Sequence, residues 1–373
     1  MIFLKKYLKI LLLVTVLCLS VVACNNKPAE DSKITEETTT ETSVTTEETE
    51  ATGETKAEET AKINPVVEEK KVYVDAKWAK DFMEKADKKD FVLAEVTWGE
   101  EKDSPDYLKK HIPGAIHINT DLVEEGPIWN LRKPEELEKN FLNLGITADK
   151  TLLLYGPDTG ADRVALTALY MGVKDVKIID GRLMGWEAAG FETEEGSVKP
   201  EAATDFGVKA PAHPEYILSL DETVEKLKND KDFTLVSVRS KDEWLGKTSG
   251  YSYIPKAGEP KGALWGESGE GNSGMGKYWN DDLTVKNFED VVASWKTNGI
   301  GLSNNMSFYC GTGWRAATPF LMMYERGYDV TLFDGGWNEW QMHDDLDVQV
   351  GDPSSSDVKY EKVGDLSNDK AAE

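Results

Sequence analysis

The stretch "VKIIDGRLMGW" (176–186) lies over "VTLFDGGWNEW" (330–340), matching Asp180 with Asp334, Gly181 with Gly335 and Trp186 with Trp340. Upstream, "NLGI" and "TNGI" pair Gly145 with Gly299, and "LLLYG" and "MSFYC" pair Tyr155 with Tyr309, all at one offset of 154 residues. Earlier still, "HIPGAIHI" (111–118) answers "GEPKGALW" (258–265) at a slightly shorter offset. One such match could arise by chance, but not four in the same order. The chain is a tandem duplication, so whatever fold one copy takes the other must take too.

Each copy alternates short apolar runs with amphipathic stretches, which is the pattern of α/β units around a mainly parallel sheet. In the second copy the runs are "FTLVSV" (233–238), "MSFYC" (306–310) and "VTLF" (330–333). "DETVEKLKND" (221–230) and "FEDVVASWKTNG" (288–299) have helical periodicity between them. "RAATPFLMMYERG" (315–327) reads as a helix ending at Gly327, a natural residue just past a helix end. Pro319 is tolerable only near a first turn, so this helix is expected to begin inside the glycine loop, at about Trp314 or Arg315. The first copy has "FVLAEV", "TLLLYG" and "VKIID" in the same order, with "RVALTALYMG" as the matching helix.

Between the strand "MSFYC" and that helix lies "CGTGWR", with Cys310, Gly311, Thr312, Gly313, Trp314 and Arg315. A strand–loop–helix junction aims backbone N–H groups and a helix dipole at the loop centre. Glycines let the backbone curl around a ligand. A cysteine in such a cradle, with Arg315 nearby in polar and open surroundings, is expected to be a nucleophilic thiolate. The bland reading is a buried, inert cysteine at a strand end.

The other two cysteines are accounted for by the start of the chain. "MIFLKKYLKILLLVTVLCLSVVAC" has Lys5, Lys6 and Lys9, then an apolar run and a small residue before Cys24. This is the order of a secretory signal. The apolar part is short for a membrane span of about 20 residues. "VVAC" resembles the lipobox of bacterial lipoproteins, which implies a signal peptide over 1–23, a lipid on Cys24 and an extracytoplasmic protein anchored to the bacterial cell membrane. Cys18 then leaves with the signal and Cys310 is the free thiol that remains, so no intramolecular disulfide can form. His111, His117, His213 and His343 show no Cys/His metal-ligand spacing, and neither a metal nor an organic cofactor is expected.

Residues 24–71 are expected to be a lipidated cysteine followed by a Thr/Glu-rich disordered tether, too poor in apolar surface to offset its ordering entropy. The whole chain carries a net charge of −25, and loss of Lys5, Lys6 and Lys9 makes it −28. That balance argues against nucleic acid or anionic headgroups as partners, leaving the lipid as the expected membrane contact. The about 300 residues that follow suffice for two ordinary domains, placed at 72–205 and 206–373.

"CGTGWRA", "HIPGAIHI" and the "DGGWNEW" ending resemble rhodaneses, the sulfurtransferases, in their tandem-domain form, over residues 72 to 345. The resemblance implies two rhodanese-like domains, each a mainly parallel sheet flanked by helices. It also implies that Cys310 takes a sulfane sulfur from a donor, becomes a persulfide, and passes the sulfur to cyanide or a thiol by a ping-pong route. Phosphatase relatives of the fold have five residues between cysteine and arginine; here Cys310 and Arg315 have four between them, the sulfurtransferase size. The first copy has "GPDTGADR" in place of the cysteine loop, with Gly156 or Asp158 opposite Cys310 according to the end from which one counts to Arg163. Aspartate cannot hold sulfane sulfur and its charge repels an anionic donor, so this domain is expected to be inactive. It serves either as packing support or as one wall of the cleft.

Rhodaneses usually have Asp-Val-Arg after the first strand, where this chain has Ser237, Val238 and Arg239. Arg239 is a candidate for holding the donor anion, or else a structural partner of Glu243. Trp314 is placed to cover the sulfur or touch the donor, and Trp337 and Trp340 read as core. "GEGNSG" (269–274) fits a dinucleotide fingerprint but follows no strand and opens no helix, so it reads as a flexible surface loop near the cleft mouth. Gly311 resembles the mercaptopyruvate-type "CGSG" loop rather than the thiosulfate-type "CRxG", while Arg315 offers a charge for a sulfonate. Thiosulfate is the favoured donor for an exported protein, with 3-mercaptopyruvate as the alternative. The rivals to an enzyme are a non-catalytic binding lipoprotein and a persulfide carrier.

Overall fold

The computed structural model describes residues 71–372. The signal peptide at 1–23, Cys24 and all but the end of the 24–71 tether lie outside the described residues. The first copy contributes β1 (Tyr73–Val74), β2 (Phe91–Thr97), β3 (Ile116–Asn119), β4 (Thr151–Tyr155) and β5 (Asp175–Ile179). The second contributes β6 (Ile217–Leu218), β7 (Thr234–Ser237), β8 (Leu264–Trp265), β9 (Met306–Tyr309) and β10 (Thr331–Phe333). Both five-stranded sheets are parallel throughout, in the spatial orders β1-β5-β4-β2-β3 and β6-β10-β9-β7-β8. The two orders are the same permutation, so the sequence repeat is also a repeat of topology.

The runs that lack polar–apolar alternation form the sheet interiors, as parallel strands covered on both faces should. "MSFY" of β9 is buried at every position, with Phe308 in register with Val236 on one side and Leu332 on the other. The covering helices are α1 (Ala76–Lys85), α2 (Pro134–Asn143), α3 (Gly160–Met171) and α4 (Arg182–Ala188) in the first copy. In the second they are α5 (Leu220–Asn229), α6 (Phe288–Thr297), α7 (Trp314–Tyr324) and α8 (Gly336–Trp340). Trp337 and Trp340 are core residues, as read from the sequence.

Helix α7 starts at Trp314, but two details differ from expectation. Pro319 is the sixth helical residue, beyond the first turn, and the helix continues through it. Its missing N–H leaves the Arg315 carbonyl without its usual donor; the helix is nonetheless buried from Arg315 to Met323, so tertiary packing holds it. The helix also ends at Tyr324, with Glu325 as cap, and Gly327 takes its positive φ of 77° two residues later.

The two copies share one apolar core. Val164, Ala165 and Ala168 of α3 join Ala316, Ala317 and Phe320 of α7 in it. Buried Asp162 accepts Tyr73 Oη at 2.6 Å and, across the boundary, Thr318 Oγ1 at 2.9 Å. The repeated aspartates act reciprocally: Asp180 accepts the Val285 amide of the second copy at 2.8 Å, and Asp334 accepts the Leu131 amide of the first, also at 2.8 Å.

Candidate active site

β9 lies in the middle of the second sheet, and the chain leaves it after Tyr309 at the carboxyl edge, where ligands collect in parallel α/β sheets. Cys310 comes next. Its carbonyl accepts the Trp337 amide at 2.9 Å, and the Gly311 carbonyl accepts the Asn338 amide at 3.0 Å, so α8 clamps the base of the loop. The amides of Gly311, Thr312 and Gly313 donate to no group among the described residues. With α7 opening at Trp314, the loop presents unpaired donors and a helix N-terminus to an anion formed on Cys310.

The polar residues of the loop suggested open surroundings, but the loop is closed over. Cys310 and Arg315 are each 1% exposed. The Tyr251 ring packs on Gly311 so closely that a Cβ there would stand 2.3 Å from Cε2. A side chain at 311 would therefore have to displace the Tyr251 ring, which gives Gly311 a packing reason beside any bearing on the donor. Tyr253 is the second tyrosine of this side; half of the residue is exposed, and its hydroxyl is pushed up to about 12, first by partial burial and then by the neighbouring Cys310.

The two arginines read as anion holders are both engaged by protein. Arg315 Nη1 and Nη2 donate to the two oxygens of Glu243, each at 2.8 Å, and Nη2 also reaches Tyr251 Oη at 3.3 Å. Arg239 is fully buried, donating to Glu259 at 2.6 Å, to Glu243 at 3.3 Å and to the carbonyls of Gly258 and Ser249. It therefore does not hold the donor, and the structural pairing with Glu243 is what the geometry shows. Burial alone would raise the Glu243 carboxyl, but Arg315 and then Arg239 override it and hold it at about 2. The Arg315 charge is met by Glu243, while its Nε has no partner and the residue lines the cavity over the loop.

The first copy forms the facing wall. Its loop places Asp158 and Thr159 toward the cysteine loop, and Glu124, Trp98 and Trp129 complete that side. Together with Tyr251, Tyr253 and Trp314 they enclose a cavity of about 380 Å³ above the loop. Asn272 and Ser273 of "GEGNSG" also line it, so that segment is a wall of the cleft. Trp314 Nε1 donates to Glu124 Oε1 at 2.5 Å, which fixes the indole across the boundary between the copies. Burial raises Glu124 to about 7, against the pull of Arg163 and the Trp314 hydrogen bond. Asp158 is likewise raised by burial, although it accepts the Gly160 amide at 2.9 Å.

Arg163, the arginine of the cysteine-free loop, braces the whole arrangement. It is fully buried, with Nε on Glu124 at 3.1 Å and Nη2 on Asp334 of the second copy at 2.6 Å. Its Nη1 lies 2.7 Å from where a Cβ on Gly313 would stand, and Gly313 has a φ of 90°. Both the backbone conformation and the guanidinium demand glycine there.

Sequence reading located the loop but missed Glu124, Trp98, Trp129, Tyr251 and Tyr253. The available signal was compositional: aromatic residues in "TWGE", "GPIWN" and "GYSY", polar segments where a core side chain has no reason to be.

A rhodanese-like domain model matches residues 75–189 and again 220–343. The thiosulfate sulfurtransferase YnjE of Escherichia coli strain K12 is 42% identical over 272 residues, covering 72% of this chain and 62% of that protein. This chain thus spans less than two thirds of that relative's length. The crystal structure of YnjE superposes with a TM-score of 0.69 at 39% identity, over 75% of this chain and 68% of that one. The 3-mercaptopyruvate sulfurtransferase of the same organism is 26% identical, over 65% of this chain and 85% of its own length. The anaerobic ergothioneine biosynthesis enzyme from Chlorobium limicola, solved in complex with its natural substrate trimethyl histidine, gives a TM-score of 0.72 at 32% identity, over 77% of this chain and 72% of that one. With the same strand order in both halves, a cysteine loop in one and its cysteine-free counterpart in the other, this chain belongs to the rhodanese family as a tandem pair of rhodanese-like domains.

Proposed function

We propose that the protein is a sulfurtransferase that moves a sulfane sulfur through a Cys310 persulfide from an anionic donor, thiosulfate first, to cyanide or a thiol. The observation that carries this reading is the placement of Cys310, the one free cysteine among the described residues, at the base of a loop whose amides have no other partner. The Cys310 thiolate attacks the outer sulfur of thiosulfate; the S–S bond breaks and sulfite leaves with its electron pair. The charge moves to the outer sulfur of the persulfide, where the free loop amides and the start of α7 favour it. Cyanide then attacks that sulfur, thiocyanate departs, and the electron pair of the persulfide bond returns to Cys310. The named activities of the two Escherichia coli relatives support this chemistry with either thiosulfate or 3-mercaptopyruvate. From the Chlorobium limicola complex we take only that an acceptor larger than cyanide can enter a site of this fold.

Incubation with thiosulfate should add the mass of one sulfur atom to the peptide containing Cys310, and cyanide should remove it as thiocyanate. With 3-mercaptopyruvate run beside it, thiosulfate should show the higher kcat/KM. Absence of the sulfur adduct with both donors would overturn the reading, and a stable adduct that cyanide and thiols cannot discharge would leave a carrier in place of an enzyme.

We also propose that the protein is exported and held to the bacterial cell membrane by lipid on Cys24. Supporting this are the basic, apolar and small-residue order before Cys24 and the −25 net charge; among the described residues no helix is long and apolar enough to cross a membrane. A fatty-acid label should appear on the wild-type protein and vanish from Cys24→Ala, and equal labelling of both would refute the anchor.

A further inference from the structure

We propose that the cavity over the cysteine loop binds a small organic cation, and that the preferred sulfur acceptor is a thiol bearing an ammonium group seated among its aromatic rings. This rests on the persulfide reading of Cys310 given above. Five aromatic side chains line the cavity: Trp98 and Trp129 from the first copy, Tyr251, Tyr253 and Trp314 from the second. Trp98 is 64% exposed and Tyr253 51%, so two of these large rings are open to solvent. Aromatic faces attract cations, most strongly those with methylated, weakly hydrated ammonium groups.

The charges around the cavity do not oppose a cation, although Glu124 is already paired with Arg163, and Arg315, itself paired with Glu243, also lines it. Glu124 and Asp158 line it from the first copy. Every guanidinium near it is already committed: Arg315 to Glu243, Arg163 to Glu124 and Asp334, and Arg182 to the carbonyls of Gly156 and Asp158 while lying 3.8 Å from the Trp279 ring centre. The charges of Arg163 and Arg315 are thus met by protein carboxylates, and an anion entering from solvent is left with the loop amides, the neutral side chains of Thr312, Asn272 and Ser273, and the unpartnered Arg163 Nη1 and Arg315 Nε as donors. The chain's charge of −25 adds a field of the same sense. The two substrates of a ping-pong reaction thereby use different parts of one site. The donor anion meets the loop floor and the acceptor meets the walls.

A volume of about 380 Å³ is more than cyanide needs and lies in the range of small-molecule sites. Thr312 and Trp314 of the loop line the cavity, and the Tyr251 ring packs on Gly311, the residue after Cys310, so a ligand among the rings lies beside the loop that carries the sulfur. The acceptor's thiolate attacks the outer persulfide sulfur, a new S–S bond forms, and the old one breaks with its electron pair returning to Cys310. The product is the acceptor's own persulfide, and no oxidant or reductant is consumed.

Binding is read first on Cys310→Ser, which cannot carry sulfur, by titrating choline and its neutral carbon isostere 3,3-dimethylbutanol against tryptophan fluorescence. Choline should bind at least about ten-fold tighter than the isostere, and Trp98→Ala should weaken choline by roughly three- to thirty-fold. Equal affinity for the two probes, or displacement of choline by sulfate, would overturn the proposal. Turnover is then read on persulfide-loaded wild type with thiocholine, 2-mercaptoethanol and 3-mercaptopropionate at equal thiolate concentration. The order of kcat/KM should be thiocholine, then 2-mercaptoethanol, then 3-mercaptopropionate, with an overall gap of about ten-fold or more that narrows in Trp98→Ala. Equal rates, or the reverse order, would also overturn it. A protein that binds choline but never loads sulfur would sink the sulfurtransferase reading and leave the cation site standing.

Discussion

Cys310→Ser should lower thiocyanate formation by roughly three orders of magnitude or more while leaving the fold intact. Oxygen cannot take the part of sulfur here. A serine hydroxyl stays protonated near neutral pH, and an oxygen–sulfur bond would not survive as a carrier of sulfane sulfur. What survives in the variant is positioning alone, because the loop amides and the cavity walls are untouched. The replacement removes little volume from a site that is 1% exposed, and the new hydroxyl costs about 1–3 kcal/mol if it finds no partner. The thermal midpoint should therefore fall by about 2–12 °C at most, and circular dichroism should be unchanged. The first domain is the natural precedent, since its matching strand β4 is followed by Gly156, which has no side chain to bear sulfur. Activity within ten-fold of wild type in a folded Cys310→Ser protein would mean that the sulfur travels by another route.

The duplication made most of the fold legible. Once Asp180 and Asp334 were aligned, strand order in one copy predicted strand order in the other, and the pattern of buried strands did the rest. The cysteine loop was legible for the same reason, because its counterpart lacks the cysteine. Partnership was not legible. Arg315 and Glu243 are 72 residues apart in sequence, and nothing local distinguishes an arginine that holds a ligand from one neutralised by a distant carboxylate. The neighbour of Gly311 was hidden in the same way: it is the Tyr251 ring, 60 positions earlier. Glu124 and the two tryptophans of the first copy reach the cavity only because α3 and α7 pack the copies together, a long-range fact that periodicity does not encode.

Glu243→Gln should be the most damaging substitution outside the nucleophile, lowering stability by about 3–5 kcal/mol. The carboxylate of Glu243 is shared by two buried arginines and also accepts the Ser240 amide at 3.0 Å and hydroxyl at 2.8 Å at the start of the short helix Lys241–Trp244. Glutamine keeps the volume but turns one of the two acceptor ends into a donor, facing a guanidinium that has only donors. Arg315 then stays buried with its charge uncompensated, next to the loop it shapes, and sulfur loading should fall with stability. At roughly 2–4 °C per kcal/mol for domains of this size, the thermal midpoint should drop by about 6–20 °C. The pH dependence separates a lost charge from lost packing. Because the folded protein holds Glu243 at about 2, below its ordinary value of 4.5, the unfolded chain binds the extra proton between those limits and stability rises with pH there. Each tenfold change in proton affinity is equivalent to about 1.4 kcal/mol, so the contribution is about 3 kcal/mol. It is fully present above about pH 4.5 and is lost as the pH falls through about 2. The midpoint gap between wild type and Glu243→Gln should therefore be constant from neutrality down to about pH 4.5 and should close progressively below it. A gap that persists unchanged to about pH 2 would assign the loss to packing and remove the Arg239–Glu243–Arg315 charge network as the support of the cysteine loop.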